Sequence, residues 1–315
     1  DKVDAYRAHV TRMFGLLGRK PAAAATAAEQ VLAIETALAA NTKTGVEARD
    51  IPAMYNPKDA AGLKAMTASI DWKAYWKALG IAPGPMVNVA SPKFFAALDG
   101  LRKTIKPGAW ASYFTYHLVS DSAFTIGKKY DDEVFSLRQA LSGVKVQRER
   151  YKRCVSATTS AMPEYVGQPF VSRAFPGASK QAASDQIAAI ADAMNVAIGK
   201  LDWMGAATQA AARDKLAKLD RMIGFPDAWK TYGFAVKNTD FAGNSLRARA
   251  AETKRQLAKA GKPVERSEWL MGAYEVNAYY NPTVNNTALP AGILQPPYFS
   301  PDADAAENYG GIGAV

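Results

Sequence analysis

The feature that most constrains this chain is a period. From Val10 to about Met222 its apolar residues recur three and four positions apart, a spacing that lines them up on one face of a helix. Val10, Met13, Phe14 and Leu17 form the first stripe, which stops at Gly18. The alanine-rich run from Pro21 to Ala40 carries Val31, Ile34 and Leu38 on one face. Asp71 is placed to cap a helix bearing Trp72, Tyr75, Trp76 and Leu79, ended by Gly80, and these aromatics read as core. After a short extended piece, Met86 to Val89, Ser91-Pro92 opens a helix with Phe94, Phe95 and Leu98. Trp110, Tyr113, Phe114 and His117 share a stripe, and Asp131 to about Met162 fits one long helix or a broken pair. A helix from about Lys180 to Met204 is expected to bury Ile187, Ile190, Met194, Ile198 and Leu201, and Thr208 begins another with Leu216 and Leu219. No internal repeat of about 20 to 50 residues is evident, which argues against a solenoid.

Near Ile223-Gly224-Phe225-Pro226 this pattern gives way to Gly, Pro and aromatic loop. A basic helix, roughly Ser245 to Ala260, is stopped by Gly261-Lys262-Pro263 and leads to Trp269. Val276 to Tyr280 is then a β-favouring run, Asn281-Pro282 and Asn285-Asn286 are turn formers, and Ala288 to Leu294 is a second apolar run, so this stretch reads as a hairpin. The expectation is a mainly α chain: a helical domain over residues 1–222, then residues 223–315 as the first part of an α+β domain. The hairpin offers one strand edge and one amide, Asn277, beside a proline-rich apolar wall from Pro290 to Tyr298. An extended peptide could add to that edge as a strand.

Several function classes are disfavoured. Thirty-nine Lys and Arg against 29 Asp and Glu leave a charge of +10, which alone invites a nucleic-acid reading. The charges, however, are scattered among alanines (Arg247, Arg249, Lys254, Arg255, Lys259), with no aromatic RNA-binding motif, zinc finger or basic arm, so they read as a solvated face and no nucleic-acid partner is expected. No run approaches the ~18 apolar residues of a membrane helix, so no membrane segment is expected, and the start DKVDAYRAHV lacks a leader pattern. The single cysteine, Cys154, cannot bridge internally, which by itself points to a reducing compartment or a protein needing no bridges. It reads as a buried thiol rather than a nucleophile, because no histidine partner is near. His117 reads as a core residue and His9 as a surface or boundary one. The run Gly310-Gly311-Ile312-Gly313 fits no phosphate-binding spacing, and no G-x-S-x-G occurs.

Three blocks of rare composition, NAYY (Asn277–Tyr280), PAGILQPPYF (Pro290–Phe299) and NYGGIGAV (Asn308–Val315), occur in an order that resembles the neprilysin and endothelin-converting-enzyme family of zinc metallopeptidases. The resemblance continues upstream through RYKRC (Arg150–Cys154), AFPGASK (Ala174–Lys180), LDWMG (Leu201–Gly205), MIGFPDAW (Met222–Trp229) and RSEW (Arg266–Trp269). It is close over residues 147–315 and looser over 1–146, where IETALA (Ile34–Ala39) and ARD followed by MYN (Ala48–Asn56) carry it.

That resemblance implies a helical domain covering an active-site cavity and the start of a thermolysin-like catalytic domain. It implies zinc, with ligands in an H-E-x-x-H motif after Val315, so that no metal ligand and no catalytic residue lies in this chain and the chain alone is inactive. Small peptides are the implied substrates, and the C-terminal zinc-binding half of the same protein is the implied partner. Asn277 and Ala278 match the positions that hold the peptide main chain. Ile293, Tyr298, Ala314 and Val315 match the pocket for the residue after the cut. Two departures, Thr287-Ala288-Leu289 for a more apolar triplet and Tyr298 for the commoner Phe, leave the shape of that pocket open. In animal relatives the cysteine matching Cys154 pairs with one beyond the zinc motif. A periplasmic or otherwise extracytoplasmic setting is favoured over a cytoplasmic one. The alternative is a non-catalytic peptide-binding or scaffold protein that keeps the fold without the metal site.

Overall fold

A computed structural model describes residues 1–315. The helices are α1 (Lys2–Leu16), α2 (Pro21–Ala39), α3 (Ala60–Met66), α4 (Trp72–Leu79), α5 (Pro92–Thr104), α6 (Pro107–Ile126), α7 (Lys128–Ser142), α8 (Arg150–Ala161), α9 (Pro163–Ala174), α10 (Ser179–Ile198), α11 (Ala206–Ala217), α12 (Phe241–Leu257) and α13 (Ala305–Gly311). The strands are β1 (Pro57–Lys58), β2 (Val87–Asn88), β3 (Asp220–Gly224), β4 (Tyr279–Asn281) and β5 (Asn286–Pro290). The chain is mainly helical, with a small mixed sheet near its C-terminal end that is consistent with the start of an α+β thermolysin-like domain. No helix is long and apolar enough to cross a membrane. Packing groups the chain into two compact units, Asp1–Arg148 with Ala235–Lys262, and Glu149–Phe234 with Pro263–Val315. This grouping cuts across the change of sequence character near residue 222.

In the first unit the Asp1 side chain accepts from the N–H groups of Val3 and Asp4, which the first turn of α1 leaves unpaired. Val10, Met13 and Phe14 of α1 pack on Ala24, Ala27, Ala28 and Val31 of α2 and on Tyr116 of α6. The small α2 side chains let the two helices approach closely, and burying Met13 and Phe14 contributes about 1.5–3 kcal/mol each. His9 sits in this packing with no exposed surface, which corrects its reading as a surface or boundary residue. Its Nδ1 lies 2.9 Å from Oε1 of Glu133 on α7, a partner that can meet it only after folding. His117, read as core, is half-exposed instead, with Nε2 3.1 Å from Glu35 Oε1. The Asp131–Met162 ambiguity resolves as a broken pair, α7 and α8, with left-handed Gly143 ending the first.

Asp71 caps α4 as expected, accepting from Ala74 N–H at 2.9 Å, and Gly80 ends it in the left-handed conformation. The stripe it carries is not core, however, because this eight-residue helix buries none of its residues. Its rings pack on each other instead, Trp72 stacked on Trp76 with centroids 5.7 Å apart.

In the second unit, α10 stops at Ile198 rather than near Met204, and it packs through Ala183, Gln186 and Ile198 while Met194 is exposed. The larger core forms where Val171 and Phe175 of α9 meet Ile223 of β3, Leu289 of β5 and the following Ala291, Ile293, Leu294 and Phe299. The stretch around Ile223-Gly224, read as loop, is the end of a strand. β3 pairs in parallel with β5, Asp220 opposite Asn286 through Gly224 opposite Pro290. The hairpin is present: β4 pairs antiparallel with β5, Tyr279 opposite Ala288 and Asn281 opposite Asn286. The sheet order β3-β5-β4 puts β5 in the centre and leaves β4 on the outside.

Candidate functional site

β5 is the buried centre of the sheet, and two devices fix the chain on either side of it. Arg266 donates from Nη2 to the carbonyl of Lys218 at 2.8 Å and from Nε to that of Val284 at 3.0 Å, and its guanidinium lies 3.0 Å from Asp220 Oδ2. It therefore ties the start of β3 to the β4–β5 turn. Trp269, three residues on, packs with Met222 of β3 and Ala288 of β5. Buried Asn286 donates to the carbonyl of Arg266 at 2.6 Å, which closes the same corner from inside.

After β5 the backbone doubles back. Ala291 N–H donates to Gly224 O at 2.7 Å and Gly292 N–H to Ala273 O at 2.9 Å. A Cβ at Gly292 would collide with the carbonyls of Tyr274 and Glu275, so this turn of the PAGIL block requires glycine. Gln295 spans Ala174 O and Ala291 O from one amide, at 2.9 and 3.0 Å. Further on, Asn308 donates to Ser300 O at 2.8 Å and accepts from Ser300 N–H at 3.0 Å, and Ile312 N–H donates to Tyr298 O at 2.8 Å. Gly311 lies so close to the Tyr298 carbonyl that it too admits no side chain. The three rare sequence blocks are thus pieces of one backbone-to-backbone arrangement around β5.

On this frame β4 presents an edge with no strand partner. Asn277 and Ala278 precede its first paired residue, Tyr279. Asn277 is exposed, and its Oδ1 accepts from Ala278 N–H at 2.9 Å. Ala278 is half-buried against the core. Tyr279 is anchored behind the edge, its hydroxyl accepting from Leu270 N–H at 3.2 Å, and burial pushes its pKa up. Thr287 donates its hydroxyl to Tyr279 O at 2.9 Å, which stiffens the hairpin from the β5 side.

The four pocket positions do not share one environment. Ile293 is core, 6% exposed, whereas Tyr298 is 42% and Val315 59% exposed, and Ala314 is exposed beside it. No three His, Cys, Asp or Glu side chains come together as metal ligands. The two histidines are engaged with Glu133 and Glu35 in the first unit, so the residues present do not fit a zinc centre. Arg266 and Asn308 are structural anchors that carry no chemical motif of their own; their one sequence signal is their place in the RSEW and NYGGIGAV blocks.

Comparison with known proteins bears on the whole arrangement. Residues 1–226 and residues 277–315 both match profiles described as Peptidase family M13. An endothelin-converting enzyme homolog of Locusta migratoria is 29% identical over all of the chain and 46% of the relative. Neprilysin of Oryctolagus cuniculus is 30% identical over 73% of the chain and 32% of the relative. Among solved structures, the Mycobacterium tuberculosis zinc metalloprotease Zmp1 in complex with an inhibitor superposes with a TM-score of 0.93 at 35% identity, over all of this chain and 48% of that one. The chain spans less than half the length of each of these.

Proposed function

The chain belongs to peptidase family M13, and from that membership we propose that it forms part of a zinc metalloendopeptidase that hydrolyses small peptides. Residues 1–222 act as the helical cover of the active-site cavity and residues 223–315 as the first part of the catalytic domain. In this reading the zinc ligands belong to a part of the protein beyond Val315, an assignment that rests on family membership. The work of this chain is to grip and place the substrate.

The observation that carries this reading is the unpartnered outer edge of β4, entered through exposed Asn277. A peptide laid along that edge in extended form gains main-chain hydrogen bonds that do not depend on its sequence. The Asn277 amide, whose Oδ1 is held by Ala278 N–H and whose NH2 donates no hydrogen bond within the chain, donates to a peptide carbonyl, and the hairpin fixes the register. Fixing the register places one peptide bond and no other at the reacting position, which is how positioning lowers a barrier. The pocket for the side chain after the cut is assigned to the positions of Ile293, Tyr298, Ala314 and Val315, three of them exposed and Ile293 in the core.

The test is hydrogen exchange of the intact protein with and without a bound, uncleavable peptide. Protection confined to the amides of residues 277–281 and their neighbours supports the reading. Unchanged exchange there, with protection elsewhere, places the peptide on another surface.

A further inference from the structure

The aromatic stripe of α4 that is not core forms one wall of an open groove of about 1080 Å³ in the first unit. Trp72, Tyr75 and Trp76 of α4 face it, with Phe95 of α5 and Trp110 and Phe114 of α6. These six rings pack in edge and stacked pairs, such as Trp110 on Phe114 at 5.9 Å, so the wall is ordered without anything covering it. Tyr75 and Phe114 are among the more exposed large apolar side chains of the chain. An apolar concavity with a few polar groups is the usual form of a binding site.

The polar groups here are of one sign. Arg102, Lys103 and Lys106 line the groove and no Asp or Glu does. Lys103 is neutralised by Asp99 at 2.6 Å, whereas Arg102 and Lys106 form no ion pair, so two cationic side chains are left for a ligand. Val87 and Asn88, which also line it, are β2, whose only strand partner is β1, leaving an open edge. The indole N–H of Trp110 is buried without an acceptor, a donor that lacks the partner buried groups ordinarily have.

We propose that this groove binds an extended peptide segment in which apolar and acidic side chains alternate. The rings take the apolar side chains, Arg102 and Lys106 take the carboxylates, and the β2 edge takes the main chain. Two β2 residues on the groove wall, in a strand with no partner beyond β1, favour a peptide over a lipid, which has no main chain to pair. The assignment does not depend on the role given to β4, with which it shares no residue.

The experiment is fluorescence anisotropy on the intact protein, with a chelator present so that nothing is cut. The probe is a labelled eight-residue peptide alternating leucine or phenylalanine with glutamate, and its counterpart carries lysine for each glutamate. The glutamate peptide is expected to bind at least about tenfold more tightly than the lysine one. Arg102→Glu with Lys106→Glu, both exposed side chains whose change leaves the core intact, reverses that preference, and Trp76→Ala weakens both peptides. Equal affinity for the two peptides, or binding untouched by either variant, overturns the proposal. So does binding of anionic phospholipid vesicles through these residues without binding of the peptide, which would make the groove a membrane contact. Self-association lost in Trp76→Ala, again without peptide binding, would assign it to a second copy.

Discussion

Arg266 Nη2 reaches the carbonyl of Lys218 at 2.8 Å, across 48 residues of sequence, and the same side chain holds the carbonyls of Val284 and Asn285. A planar fork with several fixed donors can span these acceptors at once, which a single ammonium cannot. Arg266→Ala is therefore expected to cost about 1–2 kcal/mol, the upper part of the hydrogen-bond range being lost to solvent at this half-exposed position. Arg266→Lys should recover only a fraction. Denaturant melts of the intact protein, with hydrogen exchange read at residues 279–290, check both.

Gly292→Ala tests the turn that follows β5. The added methyl meets two backbone carbonyls rather than a movable side chain, so the neighbouring strand end must shift. A destabilisation of about 1–3 kcal/mol is expected, as for an overpacked interior. Unfolding midpoints measure it, and Gly310→Ala, where a Cβ meets nothing nearby, is the control that should change little.

Stability should fall as the pH drops below neutrality, through His9. Burial lowers its pKa below the ordinary value near 6.5, against the opposing pull of Glu133. With Glu133 accepting from Nδ1–H, the buried Nε2 has no partner, and protonation there would create a donor with nothing to receive it. The groups packed around it are Tyr6, Tyr116, Glu133 and Arg12. As pH falls through about 6.5 the unfolded chain takes up a proton that the folded chain refuses, so stability declines by at most ~1.4 kcal/mol per pH unit until the folded pKa is reached. His9→Gln should remove that slope. Chemical denaturation of both proteins between pH 7.5 and pH 5 checks it.

Most of the helices could be read from their own residues, because period, cap and stop are local signals, as Asp71 and Gly80 illustrate on α4. The hairpin was legible for the same reason. β3 was not: DRMIG holds only two adjacent apolar residues, and what makes it a strand is β5, more than sixty positions later. The burial of His9 likewise depends on Glu133, 124 positions away. That Tyr75 is exposed and Trp72 and Trp76 only half-buried was hidden because an amphipathic stripe reports that a face is apolar, not that anything covers it. At the candidate site the NAYY block located the edge, but that the glycines of the other two blocks serve close backbone approaches is visible only in three dimensions.

The measurement that bears most directly on the central claim is kcat/KM of the intact protein on a short peptide, for wild type and Asn277→Ala, with zinc content determined on the same samples. Asn277 is exposed and holds no other element in place, so the variant should fold and keep its metal. Losing a desolvated hydrogen bond to the substrate main chain, about 1–3 kcal/mol, should lower kcat/KM by about tenfold or more. An undiminished kcat/KM, or a fall matched by equal loss of zinc, would contradict the assignment of the β4 edge to substrate.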